Sequence, residues 1–96
     1  MNNLLKIKDL IKKEMEYIKK KFYVSKIGVF GSYSKGKETP DSDIDILVEF
    51  NGPIGRDFIE LQKYLEKILG KRVDLVSIKA LKPQLKYKIL NEFVYV

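Results

Sequence analysis

Apolar residues in the first 22 positions recur every third or fourth residue. The members of this stripe are Leu4, Ile7, Ile11, Met15, Ile18 and Phe22. One-sided spacing of this kind is typical of a helix that packs a single face on a core. The three lysines at positions 19–21 suit the end of such a helix, where positive charge favours the helix dipole. The pattern therefore predicts one helix over residues 3–22.

Two apolar runs, residues 26–30 and 43–50, predict strands on either side of a polar segment. After the second strand, residues 51–53 form an Asn-Gly-Pro break. A second apolar stripe predicts a helix over residues 57–69, with Asp57 as a candidate N-cap and Gly70 as its stop.

The rest of the chain predicts a third strand over residues 72–77 and a last helix over residues 83–92. Pro83 suits the first turn of that helix. Its predicted buried side consists of Leu81, Leu85, Ile89 and Phe93. Residues 93–96 form an apolar tail that is either a packed end strand or an exposed contact surface.

The second strand places two carboxylates on one face, because alternate residues of a strand point to the same side. Asp43 and Asp45 share that face, whereas Ile44 and the alternate apolar residues after it can enter the core. Neighbouring carboxylates repel each other unless a cation lies between them. Mg²⁺ takes oxygen ligands, typically one or two carboxylates together with substrate phosphates. The pair therefore predicts a site for Mg²⁺ carrying a nucleoside triphosphate.

A Gly-Ser pair at the end of the first strand suits the same site. Gly31 permits a sharp turn and a close approach to a ligand. Residues 32–36 are predicted to form a helical turn, whose first backbone N–H groups can bind an anion. The Ser32 hydroxyl adds a donor, and Lys35 and Lys37 add positive charge.

A Gly-Ser pair followed, after ten intervening residues, by Asp-x-Asp resembles the signature of the DNA polymerase beta nucleotidyltransferase superfamily. The short chain resembles the minimal nucleotidyltransferase branch, as found in HEPN/minimal-nucleotidyltransferase toxin–antitoxin pairs. The matching segments are residues 29–32, Gly36, residues 41–48 and residues 72–76, within a resemblance that spans residues 25–96. Family members commonly have Arg-Ala-Arg after Gly-Ser, where this chain has Tyr33-Ser34-Lys35. Lys35 keeps the positive charge but loses the bidentate fork of arginine.

The resemblance implies an α/β (α+β) nucleotidyltransferase fold, with a small mixed sheet of three to four strands flanked by helices, in one domain over residues 1–96. It implies that three carboxylates are catalytic and bind metal: Asp43, Asp45 and Asp74. It also implies that the nucleotide is bound by Gly31, Ser32 and Lys35. Without the resemblance, Asp74 is simply an acid in a strand.

The resemblance also implies a reaction and a partner. The reaction is transfer of AMP from ATP to a hydroxyl, dependent on Mg²⁺, with two ions expected. The acceptor implied is a tyrosine of a HEPN-domain ribonuclease toxin, for which this chain would be the antitoxin. The alternative is a non-catalytic module that blocks its partner by contact alone, with the apolar tail and the first helical stripe as its interface.

Other interpretations of the polar segment fit less well. Gly31-x₄-Gly36-Lys37 nearly matches a P-loop, but the next residue is Glu38 instead of Ser or Thr and a turn follows instead of a helix. A calcium loop beginning at residue 41 would need Gly at position 46 and Glu at position 52, and the chain has neither. Residues 39–43 are also good turn chemistry by themselves.

Composition narrows the remaining classes. The 96 residues contain no cysteine and no histidine, which excludes a disulfide framework, catalysis by a histidine base and histidine-based zinc sites. There is no 18-residue apolar run and no signal peptide, so we expect a cytoplasmic protein without a membrane span. The net charge is +6, and seven of the seventeen lysines lie in residues 6–21. A solvated lysine-rich face is the favoured interpretation, and nucleic-acid binding ranks last because no recognition motif accompanies it.

Overall fold

The computed structural model of the chain describes residues 3–52 and 57–96. Its centre is a four-stranded sheet with the strand order β3-β2-β1-β4. The strands are β1 (Val24–Phe30), β2 (Ile44–Phe50), β3 (Val73–Ser77) and β4 (Val94–Tyr95). β1 runs antiparallel to β2 and β4, and β2 runs parallel to β3. The predicted small mixed sheet flanked by helices is confirmed.

The helices are α1 (Asn3–Lys13), α2 (Met15–Phe22), α3 (Gly31–Lys35), α4 (Asp57–Leu69) and α5 (Pro83–Asn91), with a 3₁₀ turn over Ile78–Ala80. Among the described residues, no helix is long and apolar enough to cross a membrane. α4 has the predicted bounds, and Gly70 ends it with a φ of 68°. Asp57 is its first residue, but the residues before it, including Pro53 of the predicted break, lie outside the described ranges.

The prediction of one helix over residues 3–22 is wrong, because the chain forms two helices separated at Glu14. Glu14 has φ −106° and ψ 7°, and its N–H donates to the Ile11 carbonyl at 3.0 Å. A hydrogen bond between residues three positions apart is typical of a 3₁₀ turn, which is tighter than an α-helix. Ile11 and Ile18, on either side of the break, are both fully buried. The apolar period continues across the break and therefore does not reveal it.

The hydrophobic core lies between one face of the sheet and the helices α1, α2 and α4. β2 contributes Ile44, Ile46, Val48 and Phe50, the alternate set that the sequence predicts. The largest helix contributions that are fully buried are Ile11, Ile18, Leu61 and Leu65. Because these helices occupy this face, the Asp45 side of the strand ends is left for other contacts.

The last helix is more exposed than the sequence predicts. No residue of α5 is buried, and Leu85 of its predicted buried side is 50% exposed. α5 packs only lightly on the other described elements, so its apolar side chains Leu85, Tyr87 and Leu90 stay exposed. The tail after it is a packed end strand: β4 pairs with β1, and the Val96 N–H donates to the Ile27 carbonyl at 3.1 Å.

Replacing Gly28 with alanine should loosen β4, because a Cβ at this position would overlap the Phe93 ring and the Val94 carbonyl oxygen. We expect the free energy of unfolding to fall by about 1–3 kcal/mol, the usual cost of overpacking. Denaturant unfolding measures this loss. Gly52→Ala is the matched control, since a Cβ there meets no atom within 4 Å. Equal stability of the two variants would contradict the tight packing of the tail.

Candidate active site

The C-terminal end of β1 and the N-terminal ends of β2 and β3 lie side by side at one end of the sheet. Phe30, near the end of β1, pairs in register with Asp45 of β2, and Asp45 pairs with Asp74 of β3. Neighbouring strands lie about 4.8 Å apart, and in-register residues of parallel strands point to the same face. The structure therefore brings Asp74, the acid that only the resemblance singled out, next to Asp45.

The carboxyl group of Asp45 lies in an electrostatically unfavourable place. Its pKa is raised to about 6, first because burial penalises the charged form, and then because of the charge and hydrogen bond of Asp74. Asp43 and Glu92 add smaller repulsive contributions. Nearby carboxylates that cannot all ionise without cost are characteristic of sites that receive a cation.

Gly31 forms the turn between β1 and α3 and lies directly against Asp45. Its φ is +72°, and an added Cβ would overlap Asp45 Oδ2. The Ser34 hydroxyl donates to the Gly31 carbonyl at 2.8 Å and fixes the turn from the other side. Ser32 follows in the first turn of α3 and is half-buried. The close approach predicted for the Gly-Ser pair is thus made to an acidic side chain of the chain itself.

The three residues that replace the family's Arg-Ala-Arg point in different directions. Tyr33 is only 3% exposed and belongs to the core, and Nζ of the exposed Lys71 lies 6.0 Å from its ring centroid. Lys35 ends α3, and its Nζ lies 2.8 Å from Glu92 Oε2. The aromatic substitution therefore fills the core, and Lys35 carries the remaining positive charge on the site side.

Asp43 lies one residue before β2 and pairs with Arg72, with 3.1 Å between Asp43 Oδ1 and Arg72 Nε. Within residues 3–52 and 57–96, no three acidic, cysteine or histidine side chains are arranged to hold a metal ion. The donor chemistry nevertheless fits Mg²⁺, because all candidate ligands are carboxylates and a cation would relieve the repulsion at Asp45. An exposed ion pair such as Asp43–Arg72 is worth at most about 1 kcal/mol, so Asp43 can exchange Arg72 for an ion.

The polar loop between α3 and β2 contains the turn that the sequence predicts. The Ser42 N–H donates to the Thr39 carbonyl at 3.0 Å, and the Thr39 N–H donates to Ser42 Oγ at 2.9 Å. Lys71 Nζ donates to the Pro40 carbonyl at 3.2 Å and ties the loop to the end of α4. The turn delivers the chain to Asp43 and the start of β2.

Glu92 is a residue of this site that sequence reasoning missed. Its Oε1 accepts from the Gly31 N–H at 3.2 Å, and its Oε2 pairs with Lys35. The Lys35 hydrogen bond is the main reason that the pKa of Glu92 lies below its ordinary value. Glu92 is the only acid after Asp74 in the sequence, which was a usable signal. No local pattern connects it to a glycine 61 positions earlier.

Comparison with known proteins matches residues 11–96 to the nucleotidyltransferase domain model. Protein adenylyltransferase MntA of Thermococcus cleftensis is 44% identical over the whole of this chain and 98% of its own length. A solved structure described as a candidate minimal nucleotidyltransferase superposes with a TM-score of 0.78 at 31% identity, covering 94% of this chain and 95% of that one. A complex of the tri-AMPylated HEPN toxin of Shewanella oneidensis with its MNT antitoxin contains a chain matching with a TM-score of 0.61 at 26% identity, covering 97% and 67%.

Gly31→Ala should abolish Mg²⁺–ATP binding, because its Cβ would push Asp45 Oδ2 out of place. Gly36→Ala is the matched control. Its φ of +69° imposes the same left-handed strain, about 1–2 kcal/mol, but no atom lies within 4 Å of its Cβ. Both variants should lose stability in thermal unfolding, and only Gly31→Ala should lose nucleotide affinity in titration calorimetry. Equal affinities would show that the Gly31–Asp45 contact is unimportant.

Asp45→Asn should stabilise the metal-free protein at pH 7.5 and have little effect at pH 3. Above a folded-state pKa of about 6 the ionised carboxyl destabilises the folded protein. Below its ordinary pKa it is protonated in both states and contributes nothing. The group is partly solvated, so we expect roughly 1 kcal/mol, or about 4–8 °C in Tm. Thermal unfolding in EDTA across this pH range is the measurement, and a stabilisation independent of pH would contradict burial and carboxylate repulsion as its cause.

Proposed function

The chain belongs to the nucleotidyltransferase domain family, and from that premise we propose that it transfers AMP from ATP to a tyrosine hydroxyl of a HEPN-domain toxin and so acts as its antitoxin. The observation that carries this proposal is the meeting of Asp45, Asp74 and the Gly31 turn at one edge of the sheet. A nucleoside triphosphate needs a turn for its phosphates beside carboxylates for its metal. The relative named protein adenylyltransferase supports AMP as the transferred group.

The residues of the proposed site divide into metal ligands and phosphate ligands. Asp43, Asp45 and Asp74 would hold Mg²⁺, which when bound neutralises phosphate charge and polarises the attacked phosphate. The Ser32 hydroxyl and the Lys35 ammonium would bind the outer phosphates. Catalysis in such a site consists mostly of positioning the reactants and stabilising charge.

In the proposed reaction the acceptor oxygen attacks the α-phosphorus of ATP in line with the leaving group. A bond forms between the acceptor oxygen and the α-phosphorus, and the bond from that phosphorus to the bridging oxygen breaks. Pyrophosphate leaves, and AMP remains on the acceptor. The acceptor hydroxyl loses its proton to a nearby carboxylate, the role we assign to Asp74, which faces the same side as Asp45.

A protein acceptor suits this site better than a small-molecule acceptor. Asp43 and Asp74 are both exposed, so a macromolecular acceptor can reach this end of the strands. The structural neighbour from Shewanella oneidensis is a complex with an AMPylated HEPN toxin. A non-catalytic antitoxin is the alternative, but the first-helix stripe proposed for its interface is buried in the core.

The test is incubation of the chain with Mg²⁺, ATP and a HEPN-domain partner from the same genome, followed by intact-mass spectrometry. We expect the partner to gain the mass of one or more AMP units on tyrosine. Asp43→Asn should slow this transfer at least about 100-fold while retaining the fold. Asp9→Asn, an exposed acid on α1, is the control and should transfer AMP at the normal rate.

Two outcomes would overturn the proposal. Full activity of Asp43→Asn would remove the carboxylates from the chemistry. A tight complex without any AMP on the partner would favour neutralisation by contact alone.

A further inference from the structure

We propose that Glu92 is a positioning residue of the nucleotide site, which fixes the Gly31 turn and the Lys35 ammonium where the triphosphate binds. Because this inference rests on the proposed function, it concerns how that site is built. It means that the segment formed by α5 and β4 completes a site whose other residues lie on α3, at the start of β2 and on β3.

The geometry shows one carboxylate joined to two residues of the site. Oε1 accepts from the Gly31 N–H at 3.2 Å, and Oε2 lies 2.8 Å from Lys35 Nζ. The side chain of Glu92 is 17% exposed, whereas that of Lys35 is 44% exposed. The Glu92 side chain is therefore mostly covered, and Lys35 reaches it from the solvent side.

The backbone holds Glu92 firmly in this place. Its N–H closes the end of α5 on the Ile89 carbonyl at 3.1 Å. The next residue, Phe93, lies against Gly28 so closely that no side chain fits there. β4 then pairs with β1, the strand that leads into Gly31. The pairing of β4 with β1 thus holds Glu92 beside Gly31, the residue that follows β1.

The contact also determines which donors remain for a phosphate. The Gly31 N–H donates to Glu92, so phosphate contacts fall to Ser32 and Lys35. A lysine ammonium has three N–H donors, and Lys35 can therefore pair with Glu92 and a phosphate oxygen together. Holding a long, flexible side chain in one place lowers the entropy cost of binding.

The negative charge of Glu92 is unfavourable for Asp45, whose pKa it helps to raise. A purely structural acceptor for the Gly31 N–H could be a neutral amide, which would avoid this repulsion. The carboxylate is compatible with the site because Lys35 neutralises it. The charge therefore matters through Lys35, which distinguishes positioning of the lysine from simple support of the turn.

Titration calorimetry with Mg²⁺–ATP tests the inference on the full chain. Glu92→Ala should raise the Kd for Mg²⁺–ATP about 10- to 100-fold, the loss expected for hydrogen bonds to charged groups. Glu92→Gln should raise it less, because the amide oxygen can still accept from Gly31. In the transfer assay KM for ATP should rise more than kcat falls. The control is Glu49→Gln, a half-buried acid that accepts from Ser25 Oγ at 2.9 Å farther along β2, and it should stay within about twofold of the wild type.

A double-mutant cycle with Lys35→Met separates positioning from structural support. If Glu92 acts through Lys35, Glu92→Gln should change the Kd less than about twofold once Lys35 is gone. Additive effects would overturn this part of the inference. Unchanged or tighter ATP binding by Glu92→Ala would overturn it entirely, the latter by showing that Glu92 competes with phosphate. Failure of the wild-type chain to bind ATP would overturn the proposed function as well.

Discussion

The crowding of carboxylates around Asp45 is the constraint on which the rest of this site depends. Asp45 is partly buried, pairs in register with Asp74 and is near enough to Glu92 to be affected by its charge, so the pKa of the Asp45 carboxyl is raised. Only a glycine can approach it as Gly31 does. A folded protein that keeps so unfavourable a group gives up stability for function, a trade-off common at active sites. Lys35 and Arg72 offset part of the repulsion by pairing with Glu92 and Asp43.

The topology of the sheet brings these groups together. Because β1 is antiparallel to β2 and β2 is parallel to β3, the end of β1 lies beside the start of β2, which lies beside the start of β3. The helices α1, α2 and α4 bury the opposite face with aliphatic side chains. This division leaves the acidic face and the Gly31 turn free of the main core. The added strand β4 brings Glu92 to the same place from the end of the chain.

Sequence reasoning was reliable where a residue's environment follows from local spacing. Alternation in β2 predicts the burial of Ile44, Ile46 and Val48, and a glycine at the end of a strand predicts the turn. The shared face of Asp43 and Asp45 stays a prediction, because Asp43 lies before β2. It failed where long-range packing decides. The apolar period continues unchanged across the helix break at Glu14 and therefore does not predict it. The apolar stripe of α5 predicts a buried side, yet no residue of that helix is buried. The contact of Glu92 with Gly31 depends on the pairing of β4 with β1. β4 is only two residues long, too short for an apolar pattern to predict that pairing.

Labelled ATP gives the most direct test of the central claim, which is that the site transfers AMP and not phosphate. Parallel reactions with the partner protein would contain ATP labelled at either the α- or the γ-phosphate. The carboxylate site and the family to which the chain belongs predict stable label on the partner from α-labelled ATP alone, with the γ-label recovered in pyrophosphate. Label from the γ-position would show phosphoryl transfer and would contradict AMP as the transferred group.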